Sequence, residues 1–219
     1  MTTWGLVIFD CDGVLVDTEG IRDEVVSFLL KESGLHVAPE EVARRTTGLA
    51  DTVMWAMFEA ELGSPLPADI LERHLRMEDE KYRTELLPMP GVVEAVRYLT
   101  AAGLLICVAS NGTLERMEVT LGVTGLSGYF GDRVFGISQV ARGKPAPDIY
   151  MLAAQRMGVS PNRCVVIEDS RLGAEAGLAA GMTVLGYCPN EDIWGLQELG
   201  VQTFSDMNRL PELLGLDLG

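Results

Sequence analysis

The sequence predicts an α/β protein, a Rossmann-like parallel sheet interrupted by an inserted all-helical segment. Three observations predict it. Residues 4–9, 104–109 and 164–167 are continuous apolar runs of strand length, the pattern of strands covered on both faces. Each run ends abruptly in a polar cluster: Asp10-Cys11-Asp12-Gly13, Ser110-Asn111-Gly112 and Glu168-Asp169-Ser170. From residue 91 onward apolar runs alternate with segments of helical period, the order of a parallel sheet with right-handed crossovers. Between about residues 18 and 87 no strand pattern occurs. The expected division is therefore 1–17 with 88–219 as the α/β core, and 18–87 as the helical insertion.

Each element has its own signal. Residues 4–10 read as a buried strand. Ile21, Val25, Phe28 and Leu29 recur at helical spacing, and Gly34 suits the end of that helix. Pro39-Glu40-Glu41 opens a short helix with proline in its first turn. Residues 44–51 read as a loop with Asp51 as the next N-cap. Met54, Met57, Phe58 and Leu62 form a stripe that reads as core rather than as a cofactor contact. Residues 68–86 form a charged amphipathic helix, and Pro88-Met89-Pro90-Gly91 is the return linker. Val92, Val96 and Leu99 mark a helix ended by Gly103. After the strand at 104–109 and its polar turn, residues 114–121 are helical and 134–137 a weaker strand. The loop Arg142–Asp148 leads into a helix over 148–157. The strand at 164–167 is followed by a helix with Ala174, Leu178 and Ala179 facing the sheet, closed by Gly181. A strand at 182–185, a short strand near 202–204 and a helix over 208–214 complete the chain. No internal repeat or low-complexity segment interrupts this order.

Composition narrows the function classes. A chain of 219 residues with 47% hydrophobic content can bury a sizeable core. The net charge of −15 argues against nucleic acid, whose phosphates it would repel. It leaves a small phosphorylated metabolite open as partner, because a divalent cation and one lysine reverse the local field. No apolar run reaches the length of a membrane span, so no membrane partner is expected. No signal-peptide pattern opens the chain, so a cytoplasmic location is the expectation, as monomer or weak homodimer. The four cysteines, Cys11, Cys107, Cys164 and Cys188, form no CxxC pair and read as reduced thiols. Cys11 lies between two carboxylates, which should raise its pKa and blunt its nucleophilicity. His36 and His74 lie far from the polar clusters, so no histidine-based mechanism is expected.

Taken singly, each cluster has a structural explanation. Asp-x-Asp-Gly and Ser-Asn-Gly are turn signals. Gly143-Lys144-Pro145 is weak alone, and Glu-Asp-Ser before a helix supplies an N-cap with dipole-favoured acids. Their common place at strand ends or just before helices makes coincidence a poor account, because open α/β sheets gather ligands beyond the carboxyl ends of their strands.

These four motifs, Asp10-Cys11-Asp12-Gly13-Val14, Ser110-Asn111, Lys144-Pro145 and Glu168-Asp169, resemble those of the haloacid dehalogenase-like hydrolase superfamily. The inserted α-helical segment is similar to the cap domain of the β-phosphoglucomutase-like branch. The resemblance implies a phosphatase that passes through an aspartyl-phosphate on Asp10. Asp12 would protonate the leaving oxygen and later activate water. Lys144 would balance the carboxylates and the developing charge. Mg2+ is the implied cofactor, held by Asp10, the main-chain carbonyl of Asp12 and Asp169, with Glu168 in a supporting or water-mediated role. Ser110, Asn111 and Gly112 would meet the phosphoryl oxygens. An aspartate at position 12 argues for phosphoryl transfer rather than dehalogenation, and the absence of a convincing cap lysine argues against phosphonate hydrolysis. Arg22 stands where the related mutases carry a histidine, and Thr47 and Asp51 flank Gly48 where they carry a lysine and an arginine. The expected substrate is a sugar or sugar-acid phosphate, with sugar phosphomutase activity or a catalytically idle phospholigand-binding protein as alternatives. Thr18 and Arg22 are candidate substrate contacts, each with a plainer reading: a helix N-cap for Thr18, a solvated helix residue for Arg22.

Overall fold

The computed structural model describes residues 4–46, 49, 51–189 and 195–216. The chain forms two compact units, one of Met1–Val16 with Leu87–Gly219 and one of Asp17–Leu86.

The first unit is built on six parallel strands: β1 (Leu6–Phe9), β2 (Leu105–Ala109), β3 (Val134–Phe135), β4 (Cys164–Glu168), β5 (Thr183–Tyr187) and β6 (Gln202–Phe204). Their order across the sheet is β3-β2-β1-β4-β5-β6, and every neighbouring pair is parallel. All four residues of β1 and all five of β4 are buried, as continuous apolar runs require when helices cover both faces. The strand order reverses direction between β1 and β4, which opens the crevice where ligands of such sheets bind. Phe9 is level with Val108 on one side and with Ile167 on the other. The residues that follow, Asp10, Ser110 and Asp169, thus emerge at one edge.

Helices α5 (Val92–Ala101), α6 (Leu114–Val123), α7 (Ser127–Phe130), α8 (Asp148–Met157) and α9 (Arg171–Ala179) connect the strands, and a four-residue helix α10 (Leu210–Leu213) ends the fold. On one face Leu6, Ile8, Val166 and Val184 pack against Ile149, Ala153, Ala174 and Ala176 of α8 and α9. On another side of the core Phe9 meets Phe130 edge to face at 6.1 Å. Helix α9 closes on the sheet through small residues. A Cβ on Gly177 would lie 2.8 Å from Cγ2 of Val184. This corrects the expected face of α9: Ala174 is buried as expected, but Leu178 is 42% exposed and Ala179 is exposed too, while Gly173, Ala176 and Gly177 join Ala174 in the interior. The larger apolar residue attracted the reading, but the close approach selects the smaller ones.

Among the described residues, the second unit contains four helices, α1 (Glu19–Glu32), α2 (Pro39–Thr46), α3 (Asp51–Leu62) and α4 (Ile70–Glu85). Helix α1 packs on α2 and α4. It buries Ile21, Val25, Val26, Leu29 and Leu30, whereas Phe28 is 47% exposed. The stripe is real, but it is widened toward Leu30 and excludes Phe28. In α3 the buried residues are Met54, Trp55 and Phe58; Met57 and Leu62 are only half-buried. The expected loop at 44–51 is shorter than predicted. Arg44, Arg45 and Thr46 complete α2, and Asp51 is the first residue of α3 rather than its cap. Thr47 and Gly48 lie outside the described residues. The short helix α7 was not expected. The weak strand at 134–137 is only two residues long, followed by a 3-10 turn over Ile137–Gln139.

Two glycines in helices make a paired prediction. A Cβ added to Gly122 in α6 would have nothing within 4 Å, whereas one added to Gly177 meets Val184. Helix propensity favours alanine over glycine by about 1 kcal/mol. Overpacking a close contact costs about 1–3 kcal/mol. Gly122→Ala should therefore raise the midpoint of urea unfolding and Gly177→Ala lower it.

Candidate active site

Asp10 continues β1 past its last strand residue. Its N–H donates to the Ile167 carbonyl at 3.0 Å and so holds the residue against β4. The chain then turns sharply. Cys11 O accepts from Leu15 N and Val16 N, and Gly13 N donates to Val16 O at 2.9 Å. Gly13 has φ of 74°, and a Cβ there would lie 2.2 Å from Oδ2 of Asp169. Glycine is required twice over, by the left-handed backbone and by the carboxylate beside it.

Lys144 lies at the centre of the site. Its Nζ donates to Asp10 Oδ1 at 2.6 Å and to Glu168 Oε1 at 2.5 Å. All three side chains are nearly or fully buried. The Glu168 carboxylate is further held by the Tyr150 hydroxyl at 2.6 Å, and by the N–H and hydroxyl of Ser170 at 3.1 and 2.9 Å. Burial pushes the Asp10 carboxyl up to about 7; Lys144 pulls it down while Glu168 and Asp12 add to the rise. Burial opposes the charge on Lys144, but Asp10 and Glu168 outweigh it and hold the ammonium above the ordinary lysine range. Burial, then Asp12 and Asp10, lifts the Cys11 thiol well above its usual value. This thiol is a poor nucleophile, in keeping with its sequence position. Cys11, Cys107, Cys164 and Cys188 are all free thiols.

The strand-end residues after β2 have different tasks. Ser110 is 3% exposed, and its Oγ accepts from Gly112 N at 3.0 Å. Asn111 does not aim its amide outward. Its Oδ1 accepts from Lys144 N at 2.9 Å and its Nδ2 donates to Lys144 O at 3.4 Å. The asparagine thus clasps the loop that carries the lysine. Asp12 Oδ1 accepts from Arg116 at 3.3 Å.

Asp10, Glu168 and Asp169 each offer a carboxylate oxygen, and these oxygens lie within 4.8 Å of one another. Such an all-oxygen group suits a hard divalent cation. When ionised, the carboxylates of Asp10, Asp12, Glu168 and Asp169 outnumber the cations Lys144 and Arg116 by two, the deficit that one divalent ion fills. Glu168 already accepts at both oxygens, which fits it to support the site rather than to ligate directly.

Thr18 and Arg22 belong to the helical unit. Thr18 is buried and stands at the N-cap position of α1, but its side chain makes no cap bond. Arg22 is not a freely solvated residue. Its guanidinium donates to Thr46 Oγ1 at 3.2 Å and to Met54 Sδ at 3.3 Å, and lies 3.5 Å from Asp23 and 3.7 Å from Asp51.

Tyr150 and Arg116 were missed in the sequence, as was the second task of Ser170, its hold on Glu168. Tyr150 was readable as an aromatic in the apolar stripe of the helix just after Lys144. Ser170 was readable as an N-cap and is one, its Oγ accepting from Gly173 N. Arg116 had a subtler signal, a cation in the first turn of a helix where the macrodipole disfavours it.

The family model for haloacid dehalogenase-like hydrolases matches residues 4–181. The chain belongs to this hydrolase family. It is 32% identical over 208 residues to 6-phosphogluconate phosphatase of Escherichia coli strain K12, covering 94% of this chain and 93% of that one. It is 33% identical over 195 residues to hexitol phosphatase A of the same organism, covering 88% and 87%. A family hydrolase of Deinococcus radiodurans R1, crystallised with bound phosphate and sodium, superposes with a TM-score of 0.87. It is 35% identical and covers 98% of this chain and 96% of its own. Among the described residues, no helix is long and apolar enough to cross a membrane.

These contacts have measurable consequences for stability. Removing one partner of a buried ion pair strands the other charges, at a cost of about 3–5 kcal/mol. Lys144→Met should lower the stability of the full chain by that order in urea titrations. In the helical unit, burial raises the Asp23 carboxyl to about 6, against the pull of Arg22 and with the help of Glu19 and Glu78. Because the folded value is raised, ionisation opposes folding. The penalty is absent below about pH 4, grows as pH rises, and is complete above about pH 6. Asp23→Asn should therefore stabilise the protein at pH 8, on the order of 1–3 kcal/mol, with the gain disappearing at pH 4 in thermal melts.

Proposed function

We propose that the protein is a Mg2+-dependent phosphatase of a small phosphorylated metabolite, a sugar or sugar-acid phosphate, acting through an aspartyl-phosphate on Asp10. The observation that carries this reading is the Asp10 carboxylate at the β1–β4 crevice, bonded to Lys144 and grouped with Glu168 and Asp169, with Asp12 two residues on. The names of the Escherichia coli relatives support the substrate class, and the phosphate and sodium bound by the Deinococcus hydrolase support an anion beside a cation.

Phosphate monoesters are very slow to hydrolyse unaided, so neutralising charge and aligning the attack must carry most of the barrier. Asp10 attacks phosphorus as a carboxylate, and an Asp10 oxygen–phosphorus bond forms as the bond to the leaving oxygen breaks. Asp12 gives its proton to that oxygen. Asp12 then takes a proton from water as the water oxygen attacks phosphorus, which frees Asp10 and inorganic phosphate. Lys144 holds the attacking carboxylate in place and offsets the charge of the phosphoryl group. Ser110 donates its hydroxyl to a phosphoryl oxygen. Asp10, Asp169 and the main-chain carbonyl of Asp12 would hold Mg2+, with Glu168 in support. When bound, the ion shields phosphoryl charge from the attacking carboxylate. The Asp17–Leu86 unit serves as the cap that discriminates among substrates. Arg22, in the place of the mutase histidine and tied to Asp23 and Asp51, supports hydrolysis over isomerisation.

A panel of sugar and sugar-acid phosphates with Mg2+ tests the reading. Wild-type protein should release inorganic phosphate with at least one member. Asp10→Asn should abolish release while leaving the circular dichroism spectrum unchanged. Conversion of a sugar 1-phosphate to its 6-phosphate without net phosphate loss would overturn hydrolysis in favour of a mutase. Undiminished turnover by Asp10→Asn would remove Asp10 as nucleophile.

A further inference from the structure

Arg116 lies at the candidate site, yet the reaction above gives it no task. It occupies the first turn of α6, the helix end at which a cation is least favoured. Its backbone is anchored, because Arg116 N donates to the capping Thr113 Oγ1 at 3.2 Å. The guanidinium reaches Asp12 Oδ1 at 3.3 Å. One helical turn later, Thr120 Oγ1 lies 3.8 Å from Cys11 Sγ. Residues 116 and 120 share one face of α6. That face thus touches two consecutive residues of the turn after β1. A Cβ on Gly112 would lie 3.9 Å from Asp12 Oδ2, so the second carboxylate oxygen borders the turn that carries Ser110.

We propose that Arg116 is a positioning residue for Asp12: it grips Oδ1 and so presents Oδ2 to the leaving oxygen of the substrate. The inference rests on the reading of Asp12 as acid and base. Two cations then divide three of the four acids between them. Lys144 holds Asp10 and Glu168, and Arg116 holds Asp12. Without Arg116, repulsion from Asp10 would turn the Asp12 side chain toward water. Arg116 neither gives nor takes a proton. The proton passes from Asp12 to the leaving oxygen in the first half-reaction and returns to Asp12 from water in the second. Directional nitrogen donors suit this task, and a lysine at the same place supplies a point charge with less control of orientation.

The leaving group reads out the step. A nitrophenolate leaves without help, whereas an unsubstituted phenolate benefits from a proton, and the two esters are alike in size. The experiment measures kcat/KM of the Mg2+-loaded full chain for p-nitrophenyl phosphate and phenyl phosphate, because kcat/KM reports the first chemical half. The proposal expects Asp12→Asn and Arg116→Ala each to lose about tenfold or more on phenyl phosphate beyond any loss on p-nitrophenyl phosphate. Arg116→Lys should recover part of that difference. The double variant should be no worse than Asp12→Asn alone, because Arg116 acts through Asp12. Selective loss in Asp12→Asn with equal loss on both esters in Arg116→Ala would overturn the positioning role and leave the acid–base reading intact. Equal loss on both esters in Asp12→Asn would overturn the acid reading, and the inference with it.

Discussion

The buried ammonium of Lys144 is the constraint around which the rest of the site is arranged. A charge taken out of water must be paired and hydrogen-bonded or it destabilises the fold. Lys144 meets this condition with Asp10 on β1 and Glu168 on β4, so one cation ties together the two strands that flank the crevice. Glu168 must itself be satisfied, and Tyr150 and Ser170 do so. The demand reaches further, into glycine placement. A Cβ on Gly173 would fall 1.7 Å from Glu168 Oε1, and one on Gly143 would fall 2.7 Å from Asn111 Oδ1. Both glycines make room for the groups that hold Lys144 or its loop.

The same network joins fold to chemistry. Parallel pairing brings the ends of β1, β2 and β4 level, but register alone only gathers backbones. Side-chain bonds between loops far apart in sequence set the working distances. Asn111 clasps the lysine loop across 33 residues, and Lys144 reaches Asp10 across 134. Ile137 N donates to Gly112 O, so the segment after β3 supports the turn that carries Ser110. The helical unit has its own polar knot at Arg22. It is built from different residues and a different core, so its packing is independent of the acids and Lys144.

Much of the fold was legible because its signals are local. Continuous apolar runs marked β1, β2 and β4, and the loop ending at Asp148 marked α8, whose bounds of 148 and 157 match the expectation. The acids were legible because they break off the apolar runs of β1 and β4, and Lys144 because it stands in the Gly-Lys-Pro loop just before α8. What escaped depends on tertiary packing. Phe28 and Leu178 looked like core and face outward, because helix faces are chosen by how closely partners approach, not by residue size alone. Asn111, expected near the phosphoryl group, also uses its side chain to clasp the lysine loop, a contact its turn motif does not record. Tyr150 and Arg116 act on residues 18 and 104 positions away, a relation no spacing in the sequence records.

The sheet also controls what it does not bind. Its inner strands run four or five residues, but its borders, β3 and β6, have only two and three. Exposed strand borders invite pairing with other chains, and short ones offer too few unpaired N–H and C=O groups to hold a newcomer in register. Even a chain rich in buried β-forming segments therefore presents little template for self-association through its sheet. The surplus of negative charge adds repulsion between copies, so charge and strand length both disfavour pairing of one sheet border with another.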